Sequence, residues 1–204
     1  MILYGNHESG HSFKVRSFLQ LTHTPHEYRW VDLTQPLAQR RADFIAHSQF
    51  GEVPVLLDGD KVLCQSNSIL MYLAQKTQQL CGTPAEWTHI TEWLSWETNR
   101  IGFSVPNLRY ALHWDAQPPD VLDYLRRRAV ADLNTLNRFL ADSPFLLKSG
   151  LTIADVSCSG YLFWLEQAGL SADELPHVKR WLHEIRQSAG WQHPDISLKS
   201  AATP

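Results

Sequence analysis

Residues 51–74 read GEVPVLLDGDKVLCQSNSILMYLA. The Val53-Pro54 step opens a short apolar run, Asp58-Gly59-Asp60 turns the chain, and Lys61 to Leu63 makes a second short run. Two brief β-runs divided by an Asp-Gly turn predict a hairpin. Gln65-Ser66 lead straight into an apolar segment. There Ser66 or Asn67 can cap a helix, and Ile69, Leu70 and Leu73 line its inner face. A helix N-terminus presents unpaired N–H groups and a partial positive charge, which suits a carboxylate. An extended segment entered at Val53-Pro54, if its edge is open, offers main-chain N–H and C=O groups to an extended peptide. The stretch is therefore fitted to hold a small peptide by its backbone and by one terminal carboxylate.

Toward the N-terminus, Ile2 to Tyr4 reads as a buried strand ended by Gly5-Asn6, followed by a polar loop from Asn6 to Gly10. From His11 onward, Val15, Phe18, Leu19 and Thr22 fall at helical spacing, and Thr24-Pro25 stops the helix. His26 to Leu33 reads as a second strand, and Leu37 to Ala46 as a weaker helix with Pro36 near its start. The order β-α-β-α-β-β-α, with a helix long enough for a parallel crossover between the first two strands, predicts a thioredoxin-like α/β domain over residues 1–77.

Residues 78–85 read as a linker of Gln, Thr, Gly and Pro, and residues 86–204 as an all-α domain. Trp87 to about Trp114 predicts a long helix bent around Gly102 and Pro106. Pro118-Pro119 starts the next, Val121 to Ala141. Leu151-Thr152-Ile153-Ala154-Asp155-Val156 places Thr152 at an N-cap and Asp155 at N3, with Leu151 and Val156 as a hydrophobic staple. Asp is shorter than the usual Glu or Gln, so its reach back to the Thr152 amide is the weak point of this box. A last helix is expected from Asp173 to about Ala189, followed by a loosely attached tail to Pro204.

Composition narrows the possible functions. Of 204 residues, 44% are hydrophobic and 19% charged, which argues for a folded chain. A formal net charge of −3 gives no basic footprint for nucleic acid. No apolar run is long enough to span a membrane, and the N-terminus lacks a basic leader. Cys64, Cys81 and Cys158 form no CxxC pair and fit a reducing cytoplasm. His7 and His11 lie four apart in a loop without a third ligand, so no metal is expected.

The order Val-Pro, hairpin, Gln-Ser, helix resembles the glutathione site of the cytosolic glutathione transferases. The run Ser9-Gly10-His11-Ser12-Phe13-Lys14-Val15-Arg16 is similar to the S/T-x-N-x-x-K-V pattern of the family's bacterial, Nu-like Ser/Thr members. The Thr152–Asp155 box resembles the one that begins a buried helix in this family, where its role is in folding. The resemblance covers essentially the whole chain and implies a cytoplasmic homodimer with glutathione as co-substrate and no metal. It implies a cis bond before Pro54, Val53 pairing with the cysteinyl backbone, and Gln65 and Ser66 holding the γ-glutamyl group. Gln39 falls where relatives contact the glycyl end, with Arg40 as a substitute. Ser48-Gln49 replaces the family's common Asn-Pro. Gln65 in place of the commoner Glu removes a charge partner for the ligand's ammonium.

The resemblance assigns Ser9 as the hydroxyl that donates to the glutathione thiolate, and His11, where relatives carry Asn, as a second donor. Ser12 is the alternative hydroxyl. The competing reading makes Ser9 only a helix cap and His11 a turn residue. A free thiol ionises near ~8.5, and one hydrogen bond of about 1.5–3 kcal/mol lowers that by roughly one to two units, so no proton-shuttling triad is needed. The electrophile, a small hydrophobic molecule, is expected between the Ser9 loop and the first long helix of the second half, on Phe103, Asn107, Tyr110 and Trp114. The competing reading of these four is aromatic core or dimer contact. Glutathione-dependent disulfide or peroxide reduction, and a non-catalytic interaction module of the same fold, are the rival functions.

Overall fold

Leu3 and Tyr4 point to opposite faces of strand β1 (Ile2–Gly5), and helices close both faces. In the computed structural model, which describes residues 1–199, β1 is followed by α1 (Gly10–Leu21), β2 (Glu27–Trp30) and α2 (Ala42–Ile45). Next come β3 (Val55–Asp58), β4 (Lys61–Cys64) and α3 (Ser66–Thr77). The strand order is β2-β1-β3-β4, parallel between β1 and β2 and antiparallel elsewhere. This is the thioredoxin-like arrangement. Tyr4, Val31, Phe44 and Val55 form a core on the α2 side, with the Tyr4 and Phe44 rings 6.0 Å apart. On the other face α1 and α3 pack together and bury Val15, Phe18, Leu19, Ile69, Leu70 and Leu73. The hairpin closes at Asp58↔Lys61, and Gly59 takes a φ of +58°, as the first central residue of a two-residue loop requires.

Two details of this unit depart from the expectation. The segment expected as a helix from Leu37 to Ala46 is a single 3₁₀ turn, Leu37–Gln39, and the four-residue α2. Of these residues only Phe44 is buried, so there is no apolar face to sustain a longer helix. The cap of α3 is Gln65, one residue earlier than expected, and its side chain makes no cap hydrogen bond.

The contacts divide the chain into Met1–Gln79 together with the segment from Ser188, and Leu80–Gln187. Residues 190–199, expected to be loosely attached, are fastened to α1. Gln20 donates from Nε2 to Gln192 Oε1 (3.0 Å), and its Oε1 accepts from Ser197 Oγ (2.7 Å). Leu198 is fully buried, in the turn after the short C-terminal helix α9 (Pro194–Ser197). A side chain on Gly190 would stand 2.4 Å from the Gln20 carbonyl oxygen, so this approach admits only glycine. The remainder of the expected tail, residues 200–204, lies outside the described residues.

The second unit is helical: α4 (Trp87–Asn99), α5 (Ile101–His113), α6 (Pro119–Phe139), α7 (Ile153–Ser159) and α8 (Pro176–Gln187), with a 3₁₀ segment at Leu162–Ala168. The long helix expected from Trp87 breaks at Arg100 (φ −121°, ψ −105°), ahead of Gly102, and Pro106 lies inside an unbroken α5. Buried Glu97 explains the position of the break. Its carboxylate accepts from Ser157 Oγ (3.2 Å) and lies where a Cβ on Gly102 would sit, 1.9 Å from Oε1. The box at Thr152 forms in full. Asp155 Oδ2 accepts from the Thr152 amide (2.9 Å) and hydroxyl (3.0 Å), and Oδ1 from the Leu146 amide (2.8 Å) and Trp181 Nε1 (2.9 Å). The shorter acid therefore reaches.

Candidate functional site

The strand register brings the sequence-derived residues of the first unit to one end of the sheet. Tyr4 pairs with Val55 and Val55 with Cys64, so the residues that flank this row, Gly5-Asn6, Val53-Pro54 and Gln65-Ser66, emerge side by side. The Asn6–Ser9 loop begins in the same row, one strand from the hairpin.

Asn6 shapes that loop. Its Nδ2 donates to Val31 O (2.8 Å), its Oδ1 accepts from Glu8 N (2.9 Å), and its own amide donates to Ser12 Oγ (3.2 Å). The sequence signal was an Asn directly after the strand, a residue that organises turns through its side chain. Ser9 follows as the N-cap of α1, extended at φ −96° and ψ 109°, and its Oγ accepts from Ser12 N (3.1 Å). A hydroxyl that accepts keeps its proton to donate. His11 is half-buried on the first turn of the same helix. Ser12 is fully buried with its oxygen turned to Asn6, so the alternative hydroxyl is part of the loop's scaffold.

The Val53-Pro54 bond is cis. Val53 lies outside the β3 ladder, and among the described residues no group hydrogen-bonds to its main chain. Gln65 takes φ +69° and ψ 119°, a strained setting for a residue with a side chain, and it directs Nε2 to Glu52 Oε2 (3.1 Å). Ser66 is buried as the first residue of α3. Gln39 is exposed at the end of its 3₁₀ turn. Arg40 is otherwise engaged: its guanidinium donates to the carbonyls of Gln35 (3.0 Å), Gly51 (2.8 Å) and Leu33 (3.2 Å). It ties the loop together.

Within the Asn6–Ser9 loop, His7 stacks on Trp30 with ring centroids 5.3 Å apart. Burial, and secondarily the charge of Lys199, hold its imidazole below the ordinary range, which keeps it neutral at neutral pH.

In the second unit, Phe103, Asn107, Tyr110 and Trp114 share one exposed face of α5 and its C-terminal cap. Tyr110 and Trp114 stack at 5.9 Å, while Arg128 covers Phe103 at 5.1 Å. Buried Arg109 lies against Trp114 (4.8 Å) and Trp164 (4.4 Å). The face is neither core nor a closed pocket within this unit. Among the described residues no group of three or more His, Cys, Asp or Glu side chains is arranged to hold a metal, and no helix is long and apolar enough to cross a membrane.

A thioredoxin-like unit with its loops gathered around a cis-proline, followed by a helical unit, is the glutathione transferase fold. Comparison agrees: residues 8–76 match the glutathione S-transferase N-terminal domain and residues 119–184 the glutathione S-transferase C-terminal domain, and the chain belongs to the glutathione transferase superfamily. It is 27% identical to disulfide-bond oxidoreductase YfcG of Escherichia coli (strain K12), over 87% of this chain and 86% of that one. It is 29% identical to human glutathione S-transferase theta-2, over 86% of this chain and 76% of the relative. Among solved structures, a possible glutathione S-transferase from Rhodopseudomonas palustris superposes with a TM-score of 0.85 at 26% identity, covering 96% and 98% of the two chains.

Proposed function

We propose that the chain binds glutathione along Val53 and transfers its sulfur to a small hydrophobic electrophile. The observation that carries this reading is the convergence of Ser9, Val53-Pro54 and Gln65-Ser66 at one end of the sheet. A tripeptide laid against Val53 exchanges main-chain hydrogen bonds with it, and its γ-glutamyl carboxylate meets the first turn of α3 at Ser66. Gln39 is left to contact the glycyl end. The thiol then faces Ser9, whose hydroxyl donates to the thiolate while the α1 N-terminus adds its dipole. His11, one turn into that helix, is the second donor. Phe103, Asn107, Tyr110 and Trp114 receive the electrophile on their exposed face.

The cysteines Cys64, Cys81 and Cys158 form no CxxC pair, which supports a reducing, cytoplasmic setting, and we place the protein there as a homodimer, which sedimentation tests. The test of function is calorimetric titration with glutathione together with turnover of chlorodinitrobenzene, in the parent chain and in Ser9→Ala. Binding, with turnover that collapses in the variant, supports the reading. The absence of heat leaves a non-catalytic interaction module. A second activity, glutathione-dependent disulfide reduction, is favoured by the likeness to the E. coli oxidoreductase, and hydroxyethyl disulfide and cumene hydroperoxide turnover test it.

A further inference from the structure

The end of the sheet that carries the candidate site also holds a carboxylate with no role in the reading above. Glu52 precedes the cis Val53-Pro54 bond. Its main-chain oxygen accepts from Ser48 Oγ (3.0 Å) and its Oε2 from Gln65 Nε2 (3.1 Å). Both ends of the residue are thus tied down. Three other acids of this unit sit on cations: Glu27 on Arg29, Asp43 on Arg29 and Arg41, Asp58 on Lys76. Glu52 is held by an amide, and among the described residues it has no cationic partner.

The amide's orientation follows from the carboxylate. Since Gln65 gives an N–H to Glu52, its own Oε1 faces away as an acceptor. The pair therefore offers a carboxylate oxygen and an amide oxygen together, beside the first turn of α3. The strained main chain of Gln65 brings the amide back across the hairpin to make this pair. An amino-acid head group needs two things: N–H donors for its carboxylate, and an anion with a second acceptor for its ammonium. The α3 N-terminus fits the first requirement and Glu52 with Gln65 fits the second.

We propose that Glu52 and Gln65 form the recognition site for the α-ammonium group of the γ-glutamyl moiety, with Glu52 supplying the charge that a glutamate at position 65 would otherwise carry. This assignment rests on the glutathione reading. It makes the neutral residue at 65 a relocation of charge by a few ångströms rather than a loss of it, and it makes Glu52 a specificity-determining residue for ligands with a free α-amino group.

Titration with glutathione and with its deamino analogue, in which hydrogen replaces the α-ammonium, tests the assignment. The parent chain should prefer glutathione by about five- to tenfold, a size set by a solvent-exposed ion pair completed by a second acceptor. Glu52→Gln should lose that preference and bind the two ligands alike, with affinity for the deamino analogue unchanged. The doubly substituted Glu52→Gln, Gln65→Glu chain, which moves the charge back across the hydrogen bond, should recover it. Equal discrimination in the parent and Glu52→Gln overturns the assignment. A matching loss for both ligands also overturns it, because it marks Glu52 as scaffold. Failure of the parent chain to bind either ligand removes the glutathione reading itself, and the assignment with it.

Discussion

Ser9 and Thr152 each cap an α-helix through a hydroxyl, and they are used in opposite ways. Thr152 is fully enclosed: its Oγ1 accepts from Ala154 N (3.3 Å) and donates to Asp155 Oδ2 (3.0 Å), so its donor and acceptor roles are both occupied within the fold. Ser9 accepts from Ser12 N (3.1 Å), is half-buried, and among the described residues gives its proton to no acceptor. Both are N-caps by sequence signature, so the signature does not separate scaffold from site. What separates them is whether the hydroxyl proton is already committed. The first cap has become an anchor of the helical unit, and the second retains a donor at the end of the sheet where Val53-Pro54 and Gln65-Ser66 emerge.

The sharpest way to break this contrast is Asp155→Ala. It strips the acceptor from the Leu146 and Thr152 amides and from Trp181 Nε1, all buried, and should cost about 4 kcal/mol of stability in urea denaturation. Acid offers the next largest effect and separates the two units. Burial holds the His26 imidazole down to about 4, against an ordinary value of 6.5. The unfolded chain binds that proton first, so stability is complete above about pH 6.5 and falls as pH drops toward about 4, by roughly 3 kcal/mol. His26→Gln should flatten this acid limb. Burial pushes the Asp155 carboxyl up, the opposite sign, so acid does not weaken the box through that group.

Ser9→Ala should raise the pKa of bound glutathione by one to two units and lower turnover at neutral pH by about 10- to 100-fold. Its effect on stability should stay within about 1 kcal/mol, since only one exposed-end cap is lost. Thiolate absorbance against pH, with urea denaturation alongside, reads both effects. Thr152→Val gives the smallest effect, about 1 kcal/mol of stability, with the bound thiol unmoved. An altered thiol pKa in Thr152→Val, or an unaltered one in Ser9→Ala, would erase the distinction.

Features set by near neighbours were legible in the sequence. The hairpin at Gly59, the entry to α1 at Ser9 and the Thr152–Asp155 box each depend on residues a few positions apart, where spacing and propensity carry the information. The break at Arg100 was not legible, because it depends on Glu97 turning its carboxylate onto Gly102 under the hold of Ser157, sixty positions away. The return of residues 190–199 to α1 was hidden for the same reason: its fastener, Gln20, looks like any polar helix residue until Gln192 and Ser197 meet it. Glu52 escaped notice because its significance appears only when the positive φ of Gln65 brings an amide to it, and no propensity forecasts that setting in a non-glycine residue.

The loop between β2 and β3 contains little regular structure, and one guanidinium gathers its carbonyls at Leu33, Gln35 and Gly51. Its outline is thus written from within by a planar fork, and most of the surrounding side chains from Thr34 to Gln39 stand in solvent without a part in it. Such a segment tolerates sequence drift along its rim while remaining intolerant at position 40, where even lysine, a point charge lacking the fork, would let the outline relax. Diversification for new ligands could therefore work the rim freely so long as that single arginine is kept.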